Sequence, residues 1–113
     1  MVRITSEQRP WGGFELFTKN EKTSVKLLRI KKNRRISYQY HRKRSEFWKV
    51  VQGSIRVTLN GKTKKLKSGD TLRIPLGAKH RMEGLSDSVI LEIAYGNFDE
   101  KDVVRLQDDY NRV

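Results

Sequence analysis

The stretch YQYHRKRSEFWKVVQG, residues 38–53, brings three potential metal-binding side chains close together along the chain. Gln39 and His41 are two residues apart, so their side chains lie on the same face of an extended strand. Glu46 follows five residues later, which leaves room for a short bend and the start of a returning strand. The pattern predicts two strands that aim an amide, an imidazole and a carboxylate inward.

A second stretch, GDTLRIPLGAKH at residues 69–80, supplies the other of the two histidines, His80. Two imidazoles, one carboxylate and one amide oxygen form a mixed nitrogen and oxygen set that suits a divalent metal ion. Three strong ligands would leave open positions for a substrate, as in catalytic metal sites. Each residue also has a simpler interpretation, because strand histidines are often hydrogen-bonded polar groups and Glu46 has basic neighbours. The predicted metal ligands are Gln39, His41, Glu46 and His80.

The spacing of these residues resembles the two sequence motifs of the cupin superfamily. The first motif is matched at His41, Glu46 and Gly53, while Asn33 and Gln39 stand in place of a glycine and a histidine. The second motif is matched at four positions and has a glycine in place of its last residue, an asparagine: Gly69, Pro75, Gly77, His80 and Gly84. The resemblance implies an all-β fold, a small double-stranded β-helix or jelly-roll barrel, in one domain spanning residues 1–113.

Within the cupins, the chain resembles the C-terminal isomerase domain of type II mannose-6-phosphate isomerases over nearly its whole length. The matching segments are RPWGGF at 9–14, QYHRKRSEFW at 39–48, IPLGAKHR at 74–81 and DVVRLQDDY at 102–110. Two positions depart from the family: Phe47 stands where the family has histidine, and Ala94 where it has glutamine. If either family residue serves catalysis or substrate binding, the activity of this chain is altered.

The resemblance implies a metal-dependent enzyme that interconverts mannose 6-phosphate and fructose 6-phosphate. It implies Zn as the first candidate ion, with Mn, Fe, Co and Ni as alternatives. Glu92 is the implied catalytic base, with Lys79 or a hydroxide on the metal as alternatives, and alternation alone does not show which way Glu92 faces. Arg44, Arg81 and Lys79 are the implied phosphate-binding residues, because guanidinium forks suit phosphate oxygens. The second interpretation, which Phe47 favours, is a non-catalytic cupin that binds a sugar or another small anion.

The 113 residues include 25 Lys and Arg against 13 Asp and Glu, which gives a formal net charge of +12. Such a field attracts anions and speeds their capture. A phosphorylated substrate, nucleic acid and the lysine-rich surface of a heat-adapted protein would each explain it. Because no recognisable nucleic-acid module accompanies the charge, we expect no specific nucleic-acid partner.

The composition also excludes several classes of protein. The chain has no cysteine, so neither disulfides nor thiolate metal sites are available. Its apolar runs are too short to span a bilayer and its N-terminus lacks a signal-like apolar region, which predicts a soluble, cytoplasmic protein. The length leaves no room for the guanylyltransferase domain of bifunctional relatives. A homodimer is an open alternative to a monomer.

Alternation of apolar and polar residues predicts strands at 14–16, 25–27, 35–41, 46–52, 54–59, 72–74 and 89–95. The dipeptide at 60–61, Asn-Gly, predicts a two-residue hairpin turn. That turn would pair Ile55 with Leu66 but also Val57 with Lys64, so the register stays open.

Two further elements are predicted at the ends of the chain. Asp99 can cap the first turn of a helix, and the pattern predicts one short C-terminal helix from about Asp99 to Asp108. Near the N-terminus, Trp11 is expected to anchor the first segment on the barrel.

Overall fold

The structure, a computed structural model, describes residues 4–99 and 101–112 and contains eleven β-strands. The strands are β1 (Thr5–Arg9), β2 (Gly12–Leu16), β3 (Thr23–Ile30), β4 (Tyr38–Tyr40), β5 (Arg44–Gln52), β6 (Ser54–Leu59), β7 (Lys62–Lys67), β8 (Thr71–Ile74), β9 (His80–Gly84), β10 (Ser88–Gly96) and β11 (Val104–Gln107). The described ranges contain no helix, and hence no helix long and apolar enough to cross a membrane.

Two antiparallel sheets pack face to face around one core. The first has the strand order β3-β10-β5-β8 and the second has the order β11-β4-β9-β6-β7. Alternate residues of both sheets point inward. Together with Ala78 from the loop between β8 and β9, those that form the main core are Trp48, Val50, Ile55, Val57, Leu66, Ile74, Met82 and Ile90. The all-β, two-sheet architecture predicted for the barrel is confirmed.

The β6–β7 hairpin turns at the predicted dipeptide. Asn60 and Gly61 have φ angles of 48° and 81°, the left-handed values that a two-residue turn of this type requires. The register pairs Val57 with Lys64. Because β7 is an edge strand, this lysine stays exposed to water, and a lysine-rich edge discourages pairing with other chains.

The predicted C-terminal helix over residues 99–108 is wrong. Val104–Gln107 forms strand β11, which pairs antiparallel with β4. Asp102, inside the predicted helix, accepts hydrogen bonds from the backbone N–H groups of Arg42 and Lys43 at 3.0 and 2.9 Å. Pairing along β4 satisfies the backbone of β11, and this tertiary pairing outweighs the local capping preference.

The hairpin formed by β1 and β2 projects from the barrel. Every residue of both strands is exposed, and Trp11 at its turn is 73% exposed, so the prediction that Trp11 anchors this segment is wrong. The hairpin instead contacts the barrel through Glu15, whose carboxylate lies 2.7 Å from Lys49 Nζ. Just after β2, the ring of Phe17 packs at 5.6 Å from that of Phe47 on the outer face of β5.

Candidate metal centre

Three buried side chains meet between the two sheets. His41 directly follows β4, Glu46 lies in β5 and His80 opens β9. His41 Nε2 is 3.5 Å from Glu46 Oε2, and His80 Nε2 is 3.7 Å from Glu46 Oε1. The three ligand atoms lie within 4.8 Å of one another. A carboxylate from one sheet thus faces two imidazoles from the other.

Backbone carbonyl groups fix the orientation of both imidazoles. His41 Nδ1 donates a hydrogen bond to Asp102 O at 2.7 Å, and His80 Nδ1 donates to Ala78 O at 2.9 Å. A proton on Nδ1 leaves the lone pair of each Nε2 directed into the cluster. In metal sites, the histidine nitrogen that does not bind the ion usually donates a hydrogen bond in this way.

The electrostatics of the cluster keep both rings neutral at neutral pH. Burial lowers the pKa of His80 to about 4, although its hydrogen bond to the Ala78 carbonyl opposes the shift. Burial also lowers the pKa of His41, against the opposing effect of its bond to the Asp102 carbonyl. Neutral imidazole is the form that binds metals, so no proton has to leave either ring at pH 7.

The residues present fit a divalent metal ion. His80 Nε2 is buried and has no hydrogen-bond partner within the described part of the chain. A buried polar atom without a partner costs about 1–3 kcal/mol, and a metal ion would satisfy it. Two imidazole nitrogens and a carboxylate suit Zn and the neighbouring transition metals, and three protein ligands leave positions for substrate.

Gln39 lies beside the cluster but presents its nitrogen to it. Its Oε1 accepts a hydrogen bond from Ser37 Oγ, and its Nε2 lies 3.2 Å from His41 Nε2, to which it donates. The amide oxygen predicted as a ligand is therefore turned away in this arrangement. It would reach a metal only if the amide group rotated by half a turn.

Glu92 faces inward from β10 and lies next to the cluster. Trp48 Nε1 donates to both carboxylates, at 3.2 Å from Glu92 Oε1 and 3.3 Å from Glu46 Oε1. Burial, reinforced by the charge of Glu46, raises the pKa of Glu92 to about 7, while Lys26 Nζ at 3.4 Å opposes the shift. A carboxyl group that titrates near neutrality can both take up and release a proton.

Glu92 also lines a cavity of about 290 Å³ beside β3. The other lining residues are Ser24, Val25, Lys26 and Phe98. Lys26 is 43% exposed at its side chain, so one cation stands between the buried carboxylate and water.

Of the three predicted phosphate-binding cations, only Arg44 reaches the buried cluster. Its Nε donates to Glu46 Oε2 at 3.1 Å, and its side chain is 6% exposed. Arg81 alternates with His80 along β9 and points to the other face, where it donates to Ile36 O and Gln107 O at 2.9 and 3.1 Å. Lys79 is exposed to solvent, whereas the cluster is buried. The structure thus separates residues that the sequence places side by side.

Comparison with known proteins identifies the family. The model of the family described as mannose-6-phosphate isomerase C-terminal matches residues 3–108. This chain belongs to that family. It is 40% identical over 108 residues to the mannose-1-phosphate guanylyltransferase ManC of Salmonella typhimurium and 37% identical over 108 residues to the mannose-1-phosphate guanylyltransferase of Escherichia coli K12. Each alignment covers 93% of this chain but only 22% and 23% of the relatives, so the chain spans about a fifth of their length.

Solved structures with the same fold are cupins. An oxalate decarboxylase variant from Bacillus subtilis matches with a TM-score of 0.67 and 22% identity, over 77% of this chain and 25% of the other. KdgF from Halomonas sp. matches with a TM-score of 0.65 and 19% identity, over 74% and 77% of the two chains. At these identities the likeness establishes the cupin fold alone.

The structure locates the two departures from the mannose-6-phosphate isomerase C-terminal family. Phe47 points to the outer face of β5, where it is 3% exposed and packs with Ile93 and Tyr95, away from the metal cluster. Ala94 lies inside the barrel, directly across the strand pair from Glu46, and is 2% exposed. Phe47 therefore cannot touch a substrate at the cluster, whereas Ala94 shapes the space beside it.

Three contributors to the site escaped the sequence analysis. Trp48 packs in the core and also donates to Glu46 and Glu92, and its place two residues after Glu46 on the same face was a usable signal. Phe98 covers Arg44, with the guanidinium carbon 4.4 Å from the ring centroid. The carbonyl of Asp102 had no sequence signal, because any residue carries one.

Proposed function

We propose that this cupin domain is a metal-dependent sugar-phosphate isomerase that interconverts mannose 6-phosphate and fructose 6-phosphate. The observation that carries the proposal is the buried cluster of His41, Glu46 and His80 with the titratable Glu92 beside it. Membership of the mannose-6-phosphate isomerase C-terminal family supports the choice of substrate. The proposal concerns this domain, since the matched relatives are several times longer.

His41, Glu46 and His80 would hold one divalent ion, with Zn as the first candidate and Mn, Fe, Co or Ni as alternatives. When bound, the ion supplies Lewis-acid polarisation of the substrate carbonyl and the adjacent hydroxyl oxygen. The carbonyl groups of Asp102 and Ala78 keep both Nε2 atoms aimed at that position, so the ligands need no rearrangement of their rings.

Glu92 is the group we assign to proton transfer. It takes a proton from carbon 2 of the aldose and returns it to carbon 1, while the hydroxyl proton of oxygen 2 passes to oxygen 1. The two transfers convert mannose 6-phosphate to fructose 6-phosphate without loss of any atom. Trp48 holds Oε1 at 3.2 Å. Within the described residues Oε2 has no hydrogen-bond partner, and Lys26 Nζ lies 3.4 Å from it as its ion-pair partner. Lys79, the alternative base, is exposed and separated from the buried cluster.

The cations nearest the reacting groups are Arg44 and Lys26, and we assign the substrate phosphate to them. Lys26 lines the cavity beside Glu92 and is partly exposed, so an anion arriving from solvent meets it first. Arg81 donates instead to Ile36 O and Gln107 O, and it does not enter the proposed phosphate site. Phe47 was the residue that favoured a non-catalytic anion-binding cupin. It lies outside the site, so it gives that interpretation no support.

A coupled-enzyme assay of mannose 6-phosphate conversion to fructose 6-phosphate tests the proposal. The protein is stripped with a chelator and then loaded separately with Zn, Mn, Co, Ni or Fe, with glucose 6-phosphate as the alternative substrate. We expect turnover of mannose 6-phosphate with at least one metal, and a loss of at least a hundredfold in Glu92→Gln, consistent with loss of a general base worth about 10²–10⁴ in rate. Metal binding without turnover of either sugar would leave a non-catalytic binding protein.

A further inference from the structure

Arg44 brings a fixed positive charge into contact with two of the three metal-binding side chains. Its Nε donates to Glu46 Oε2 at 3.1 Å, and its Nη2 donates to His41 Nε2 at 3.3 Å. His41 Nε2 accepts here because its Nδ1 carries the proton that bonds Asp102 O. Both acceptors are lone pairs that a metal ion would also use.

We propose that Arg44 competes with a divalent ion for Glu46 and His41 and thereby sets the metal affinity of the site. This inference rests on the metal role proposed above and deepens it. A guanidinium group cannot be deprotonated in proteins and has no acceptor atom, so Arg44 can never join the ion as a ligand. Entry of the ion must therefore break the hydrogen bond to His41 Nε2, which has a single lone pair, and the ion competes with Arg44 for the charge of Glu46.

The positive charge of Arg44 opposes a divalent ion electrostatically, in addition to the competition for hydrogen-bond acceptors. Glu46 is 1% exposed and Arg44 is 6% exposed at the side chain, so the pair lies where water screens charges poorly. A divalent ion placed beside an unmoved guanidinium would meet like charge at short range. The neutral amide of Gln39 also donates to His41 Nε2, but it carries no charge and can turn its oxygen toward a cation.

Two further contacts hold Arg44 from the side away from the cluster. Its guanidinium carbon lies 4.4 Å from the ring centroid of Phe98, and its Nη1 donates to Asp99 O at 3.3 Å. Neither contact depends on Glu46 or His41. Arg44 can thus break its hydrogen bonds to Glu46 and His41 and keep its contacts with Phe98 and Asp99. Its freed N–H groups then become available to an anionic substrate.

The consequence is an order of binding. Before a metal binds, the guanidinium fork is engaged by Glu46, so little of its hydrogen-bonding capacity is open to phosphate. After the ion takes Glu46, the fork can bind a phosphate bidentately. We therefore expect metal to bind first and to raise the affinity for the sugar phosphate, which in turn strengthens metal binding by the same factor.

Calorimetric titration of the chelator-stripped protein with Zn²⁺, in the absence of sugar, tests the inference. Arg44→Met removes the charge and keeps much of the side-chain volume, and Arg42→Met is the matched control. Arg42 is exposed and contacts Tyr40, not the cluster. Loss of a competing charged hydrogen bond predicts a Kd for Zn²⁺ lower by about ten- to a hundredfold in Arg44→Met. The control should bind Zn²⁺ like the wild type.

A second variant tests whether Arg44→Met acts through lost charge and not through loosened packing. Phe98→Leu removes the aromatic face that lies 4.4 Å from the guanidinium carbon while Arg44 bonds the cluster, and it leaves the charge in place. A contact that is kept with and without metal does not change metal affinity, so Zn²⁺ should bind as it does to the wild type. Unchanged or weaker binding in Arg44→Met, or an equal gain in Phe98→Leu, would overturn the inference.

The same titrations separate this inference from the proposed function. Tighter Zn²⁺ binding by Arg44→Met in a protein that isomerises neither sugar phosphate would uphold the competition and reject the isomerase. Turnover by a wild type whose Zn²⁺ affinity is insensitive to Arg44→Met would do the reverse. A protein that binds none of the five metals would reject both.

Discussion

Replacing Glu92 with glutamine should change how the stability of the metal-stripped protein depends on pH. The pKa of Glu92 is raised from an ordinary 4.5 to about 7 by burial and by the charge of Glu46. The side chain is 6% exposed, so solvent screens this effect little. A shift of that size corresponds to about 3 kcal/mol of unfolding free energy.

The sign follows from which state binds the proton. Between pH 7 and 4.5 the folded protein protonates Glu92 while the unfolded chain does not, so this residue stabilises the fold progressively as the pH falls. The stabilisation is complete below 4.5 and is lost as the pH rises through 7. Glutamine cannot take up a proton, so Glu92→Gln should lose this gain. Relative to the wild type, the variant should be favoured by about 3 kcal/mol more at pH 8 than at pH 4.5.

The measurement is urea-induced unfolding at a series of pH values from 4.5 to 8, in the presence of a chelator. Taking the difference between variant and wild type cancels the titrating groups that do not interact with Glu92. His80 and His41 do not cancel fully, because the charge of Glu92 raises the pKa of each. Glu7→Gln, on the exposed hairpin, is the control for removal of a carboxylate. A variant-minus-wild-type difference that stays constant from pH 4.5 to 8 would refute the raised pKa assigned to Glu92.

Three other outcomes are expected. His41→Ala and His80→Ala should each abolish the uptake of about one divalent ion per chain, measured by elemental analysis, while the β-sheet circular dichroism is retained; undiminished metal content would contradict the ligand assignment. Phe47→His should lower the unfolding free energy by about 1–3 kcal/mol in denaturant titration, because a buried polar ring replaces packing against Phe17, and turnover should not rise; a gain in turnover would place this position in the site after all. Ile90→Ala should cost about 2–5 kcal/mol by the same titration, and a cost below 1 kcal/mol would contradict its place in the core.

The strands and the hairpin could be predicted because local pattern and tertiary structure agree there. The alternation in residues 54–59 is matched by a buried inner face, and the Asn-Gly dipeptide at 60–61 forms the turn. The pairing of Val57 with Lys64 looked unfavourable from the sequence alone. The sequence does not show that β7 is an edge strand, where a lysine stays exposed to water. The prediction of a C-terminal helix was wrong because local pattern and tertiary structure disagree there. Asp102 accepts hydrogen bonds from the backbone of residues 42 and 43, which are distant in the sequence.

The candidate site also has features that the sequence could predict and features that it could not. Spacing within one strand predicted which side chains share a face. The cupin resemblance predicted that His41, Glu46 and His80 converge, and their ligand atoms lie within 4.8 Å of one another. Alternation along β9 puts Arg81, next to His80, on the opposite face, so its assignment to the phosphate came from the family resemblance and not from spacing. Spacing puts Arg44 on the same face as Glu46, but it could not show the contact with Phe98 or the bonds of Arg81 to the backbone of another segment.

The most direct test of a metal-dependent isomerase is one titration in which bound metal and turnover are measured in the same samples. The stripped protein is loaded stepwise with the metal that supports activity, and mannose 6-phosphate turnover is followed at each step. Turnover should begin near zero, rise in proportion to bound metal and reach a plateau at about one ion per chain, with neither uptake nor turnover in His80→Ala. Full turnover in the stripped protein, or saturation with metal without any turnover, would contradict the account.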